Sequence, residues 1–182
     1  MTPPPSTPTP VTMSHPARWL AVLRLLVGCW FAKALWTKMH VVLLGGFVPV
    51  LGVQPRWVDV MPRIIGAQMA ENPIGWYRGF VEGTVLASPA LFAHLTAWGE
   101  VLVGVSLTLG LCSGLGALGG LFLSLNYGLA TWHMSSSAQG FHFMLVITMT
   151  LLFLARSGRA LGLDAWIAWR WPGSFLTWRP IS

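Results

Sequence analysis

Glu100 sits in the middle of a long apolar run, about Ala90 to Leu111. A charge at the centre of a bilayer costs at least about 2.5 kcal/mol, so it is kept only where it is protonated, paired with a base or open to a water-filled cavity. The first apolar run of the chain offers two bases, Arg24 and Lys33, nine residues apart. At about 100° per residue they lie on opposite faces of a helix, so only one of them meets Glu100. Arg24 is the expected partner, because Gly28 on its face allows a neighbouring helix to approach while Lys33 can snorkel outward. Such a pair either works on protons or serves as polar glue that fixes helix register.

Histidines form a second constellation. His94 opens the run that holds Glu100, His133 closes the next, His142 opens the last and His40 follows the first, so four of the five fall near one membrane face. Imidazole can ligate a metal, hydrogen-bond a quinone carbonyl or relay a proton to or from it. No two have i, i+4 spacing, and the competing reading is side chains that wet their own helix ends. Asn126 and His133 share a face at i, i+7 with Tyr127 adjacent, a polar stripe running toward Glu100 or else a set of interhelical hydrogen bonds. The candidate catalytic residues are therefore Glu100, Arg24 and His94. Those for holding a quinone are His133, His142, Asn126 and Lys33, with no metal site expected.

Elements able to position these groups follow from composition. The 182 residues are 54% apolar and 9% charged, with 11 tryptophans and a mean hydropathy of +0.65. That balance indicates lipid as solvent, with indoles at the headgroup layer. Four stretches approach the roughly 20 residues that span a hydrocarbon core of about 30 Å: about 18–38, 90–111, 115–133 and 139–155. Continuous runs without period-two alternation exclude barrel strands, so the expected fold is an all-α bundle of four transmembrane helices. Ser113 and Gly114 leave only a tight turn between the second and third, making them antiparallel neighbours.

Residues 1–16 are rich in Pro, Ser and Thr and read as a disordered tail, a poor secretory signal that leaves the first span as a retained anchor. The apolar stretch from about His40 to Ser88 is expected to lie on the membrane or the bundle. Within it, Asn72 before Pro73 reads as a helix N-cap, and Arg78 and Glu82 as an i, i+4 ion pair. Trp76, Phe80 and Leu86 add apolar surface. Asp164 is expected to cap a short helix bearing Trp166, Trp169 and Trp171, the start of a Trp-rich interfacial segment over 169–182. Basic residues Arg18, Arg156, Arg159, Arg170 and Arg179 outnumber those of the first loop, Lys38, Arg56, Arg63 and Arg78, which favours cytoplasmic termini.

Several classes are excluded. The formal charge of +6 is scattered, with no basic run for nucleic acid. There is no phosphate loop, GxSxG, HExxH or CxxCH. Cys29 and Cys112 form no CxxC, and the glycines of LGLCSGLGALGG fit close helix packing.

The stretch from Asn72 (NPIGWYRGFVEGTV) through the Gly99–Glu100 helix to the ending GRALGLDAW resembles the DoxX/DoxD family, including the small membrane subunit of thiosulfate:quinone oxidoreductase. The opening RLLVGCWFAKALWTK is similar to that family's first helix, and the likeness covers roughly residues 18–168. It implies a four-helix subunit of the cytoplasmic membrane, with a domain over 17–168, working beside another protein and passing electrons from thiosulfate to quinone. By the same resemblance Arg24, Glu100, Arg159 and Asp164 occupy the family's polar motif positions. No flavin, haem or iron-sulfur signature is present, so any electron carrier sits on a partner or is the quinone itself. The alternative function is a non-catalytic membrane anchor or assembly subunit.

Overall fold

The computed structural model describes residues 15–178 and 180–182, so the Pro-rich start and Arg179 lie outside the described residues. The chain is mostly helical. Helix α1 (His15–Ala32) is followed, after one residue of turn at Lys33, by α2 (Ala34–Thr37), which prolongs its line. A hairpin of β1 (Met39–Leu44) and β2 (Val48–Val53) comes next, then α3 (Pro55–Ala70) and α4 (Gly75–Phe80), the latter running into a π-helical turn at Val81–Val85. Three further long helices follow, α5 (Pro89–Leu109), α6 (Ser113–Ala130) and α7 (Ser136–Leu154), and then α8 (Leu163–Arg170).

Three helices are long and apolar enough to cross a membrane: Pro16–Thr37, Pro89–Leu109 and Ser136–Leu154. Helix α6, expected as a fourth, is not among them, because its glycines together with Ser113, Ser124 and Asn126 dilute its hydropathy. It nevertheless shares the core of the other three. Phe31 of α1, Val103 and Leu107 of α5, Ala117 of α6 and Leu145, Met149 and Leu152 of α7 form one buried cluster.

Close packing of α1 on α5 fixes their register. A Cβ on Gly104 would strike the α1 backbone at Ala32, and one on Gly28 would stand 2.6 Å from the Thr108 nitrogen. Proline at the first position starts α5, and Gly110, at φ +64°, ends it in the left-handed region that glycine adopts freely.

The first loop is more structured than composition suggested. Val41–Leu44 and Val48–Leu51 pair antiparallel around Gly45 and Gly46, and Val41, Leu43, Leu44 and Phe47 are exposed. Helix α3 lies against α5, burying Met61 and Met69. Two local expectations are corrected. Asn72 is not the N-cap of α4, which starts at Gly75; its side chain is buried against the far end of α6. Arg78 and Glu82 form no ion pair among the described residues, because the helix widens into the π-turn between them and both point outward.

Candidate functional site

Antiparallel register decides which base reaches Glu100. The facing pairs Gly28 with Thr108 and Ala32 with Gly104 put Glu100 level with position 36, just past the end of α1. The base there is Lys38, whose Nζ stands 2.7 Å from Glu100 Oε2. Tyr127 of α6 donates its hydroxyl to the other carboxylate oxygen, Oε1, at 2.6 Å. The side chains of Lys38 and Glu100 are 14% and 11% exposed, so the pair is shielded without being sealed. Charge-assisted hydrogen bonds of this length are the strong kind, and they satisfy the cost of holding a carboxylate at depth.

Lys38 is held by what surrounds it. Its carbonyl accepts from the Gln54 backbone at 2.8 Å, and the Gln54 side chain donates to the Met39 carbonyl at 2.7 Å. The ammonium also lies 4.0 Å from the centroid of the Trp57 ring, which is anchored by its own N–H to the Ala93 carbonyl at 3.1 Å. The hairpin and α3 thus deliver a cation to a helix that carries only the anion.

Above this group opens a cavity of about 450 Å³ between α3, α4, α5, α6 and α7. Its walls are mainly apolar, with Phe80, Phe92, Leu95 and Leu123 among them, while Lys38, Tyr127 and His142 present polar atoms. Glu100 lies behind Lys38 and Tyr127. The His142 ring meets Tyr127 edge-on with centroids 6.2 Å apart, and its Nδ1 is buried with no hydrogen-bond partner among the described residues. Tyr77 donates to the Asn126 carbonyl at 3.0 Å, and burial pushes its hydroxyl above the ordinary tyrosine range, so it stays a donor.

The expected Arg24–Glu100 pair does not form. Arg24 is 0% exposed and lies at the C-terminal end of α5, about two turns beyond Glu100. It donates to the Leu107 carbonyl at 2.6 Å and the Leu161 carbonyl at 3.2 Å. Asp164, expected to cap its own helix, instead caps α6: it accepts from the Cys112 nitrogen at 2.8 Å and from the Ser113 nitrogen and hydroxyl at 2.9 and 2.7 Å. Together they bracket the α5–α6 turn, a cation on the C-terminal carbonyls of one helix and an anion on the N-terminal amides of the next. Arg159 is separate, donating to the Thr177 carbonyl at 2.6 Å.

Other expected residues also divide. His142 and Asn126 line the cavity. His94 is exposed on the outside of α5 and bonds the Ala90 carbonyl of its own helix at 2.8 Å. His133 stands 4.0 Å from Glu71 in a separate shallow pocket. Lys33 does not reach the cavity; its ammonium sits 3.5 Å from the Trp30 ring centroid. No group of three or more His, Cys, Asp or Glu side chains gathers to hold a metal among the described residues. Sequence reasoning misses Lys38 and Trp57 as site residues; Gly28 and Gly104, the close-approach positions that set the α1–α5 register, are the signal that places Lys38 beside Glu100, and none points to Trp57.

Compared with known protein families, with curated proteins and with solved structures, the chain matches none.

Proposed function

We propose that the chain is a four-span, DoxX/DoxD-like subunit of the cytoplasmic membrane, linked to quinone oxidoreduction and working with a partner that oxidises a sulfur compound such as thiosulfate. The observation that carries this reading is the Lys38–Glu100–Tyr127 group on the floor of a largely apolar cavity. At about 450 Å³ the cavity has the size of small-molecule sites, roughly 300–1,000 Å³. Its cation is already neutralised by Glu100, so the floor suits a neutral carbonyl compound. A hydrated dianion such as thiosulfate has no match among these walls, which assigns the sulfur site to the partner.

A bound quinone supplies two-electron, two-proton redox chemistry. The chain's own groups supply position and protons. Lys38 and Tyr127 line the cavity as donors, with Gln68, Thr96 and Asn126 the other polar side chains of its wall beside His142, and Phe80 and Phe92 add apolar surface. Helix α6, although glycine-rich, crosses the bilayer as the fourth span because its neighbours cover it, and the termini lie in the cytoplasm.

The test is organic extraction of the purified protein, with thiosulfate-dependent reduction of a soluble quinone analogue measured in its complex with the partner. Bound quinone and turnover are expected, and Glu100→Gln should insert and fold but lose turnover. A protein free of quinone and inert in the complex would refute the reading. The anchor reading has one observation in its favour: the uncharged hairpin, whose Phe47 is 80% exposed, has the character of a surface that another protein covers. Copurification of a partner with neither quinone nor turnover would select it.

A further inference from the structure

We propose that Glu100 is a proton store filled by occupation of the cavity: Lys38 leaves Glu100 to donate to a carbonyl oxygen of the occupant, and Glu100 takes up a proton as it does so. This rests on the quinone reading above.

Glu100 and a cavity occupant compete for the same two donors. Lys38 and Tyr127 line the cavity, whereas Glu100 stands behind them. Both donors are already directed at Glu100, one to each carboxylate oxygen. An occupant that hydrogen-bonds to the floor therefore draws its bonds away from the carboxylate. Among the described residues no second base forms an ion pair with Glu100. The groups around Glu100 are Tyr127 on α6, Tyr77 on α4 behind it, His142 on α7 beside the Tyr127 ring, and Lys33, which lies on Trp30. Arg24 is committed to the Leu107 and Leu161 carbonyls at the far end of the bundle. A buried carboxylate deprived of its cation is accommodated by protonation.

The protons balance over a cycle. Glu100 gives one to the occupant through the Tyr127 hydroxyl, which donates its own and accepts that of the carboxyl. Lys38 gives a second from its ammonium. Two electrons arrive from the partner's reduced redox centre, and one proton from water then restores the ammonium and the ion pair. Two protons enter in all, one with binding and one after reduction.

The experiment is titration of the detergent-purified full chain with ubiquinone-1 in weakly buffered solution containing a pH indicator. About one proton should be taken up per molecule bound near neutral pH, and over the same range affinity should fall by up to tenfold for each unit that the pH rises. Glu100→Gln should bind without uptake and with little pH dependence. Binding by the unaltered protein without uptake, or uptake that persists in Glu100→Gln through His142, overturns the store and leaves the quinone reading standing. Failure of the unaltered protein to bind ubiquinone-1 overturns the quinone reading itself. Lys38→Met gives an independent check, since Glu100 should then show the infrared band of a protonated carboxylic acid before any ligand is added. Absence of that band in the folded variant counts against the proposal.

Discussion

At the scale of residues, two buried ionic groups lie at different levels of α5, one at its centre and one at its C-terminal end. Arg24 and Asp164 hydrogen-bond to backbone groups and to Ser113, so their contribution is to stability. Asp164→Ala removes three hydrogen bonds to a carboxylate and leaves Arg24 without its nearby anion; a loss of about 3 kcal/mol is expected, read as lower resistance to denaturant in detergent. Lys38 by contrast lines a cavity with Glu100 behind it, and Lys38→Met should alter ligand affinity more than stability. Cys112 carries a pH signature. Burial first, and the Asp164 charge second, push its thiol above the ordinary range. Since the thiolate is the reactive form, alkylation at neutral pH should be slower than for a free cysteine and should climb with pH until the raised value is passed. A neutral-pH rate equal to that of a free thiol would rule this out.

At the scale of elements, α6 is secured from outside itself. Asp164 caps its first amides, and Asn72 donates to the Leu129 and Ala130 carbonyls at its end, at 2.8 and 3.2 Å. Asn72→Ala should cost about 1–2 kcal/mol, because it leaves buried carbonyls unpaired. Gly104→Ala should cost about 1–3 kcal/mol, since a methyl there meets the α1 backbone, and the loss should be read as lower resistance to denaturant in detergent; unchanged resistance would count against the close α1–α5 approach. The long helices were legible because hydropathy runs are a local property. Asn72 and Asp164 looked like caps of the helices beside them, and both are caps, but of a helix about 50 residues away. Sequence spacing reports what a polar side chain can bond and not which helix end will stand next to it. The hairpin escaped notice although Val-rich runs flank Gly45–Gly46, because a wholly apolar stretch carries no alternation to mark a strand.

At the scale of the whole molecule, the Lys38–Glu100–Tyr127 group joins segments that are remote in sequence: the stretch just past α1, the centre of α5 and the last turns of α6. Glu100 was legible as a carboxylate out of place. Its true partner depended on how two antiparallel helices slide past each other, which charge and hydropathy leave open. The proposed orientation is open to direct test with Cys112, which lies in the α5–α6 turn at the Arg24 end of the bundle. In sealed vesicles a membrane-impermeant maleimide should reach it only from the cytoplasmic side, and at elevated pH. Labelling from the opposite side would reverse the topology.

The capping of α6 also sets a timetable for biosynthesis. Its C-terminal carbonyls can be satisfied as soon as the helix emerges, because Asn72 has already been made. Its N-terminal amides must wait for Asp164, and so for the whole of α7, to leave the ribosome. Until then a glycine-rich helix with one uncapped end relies on water at its first amides and on α5 for cover.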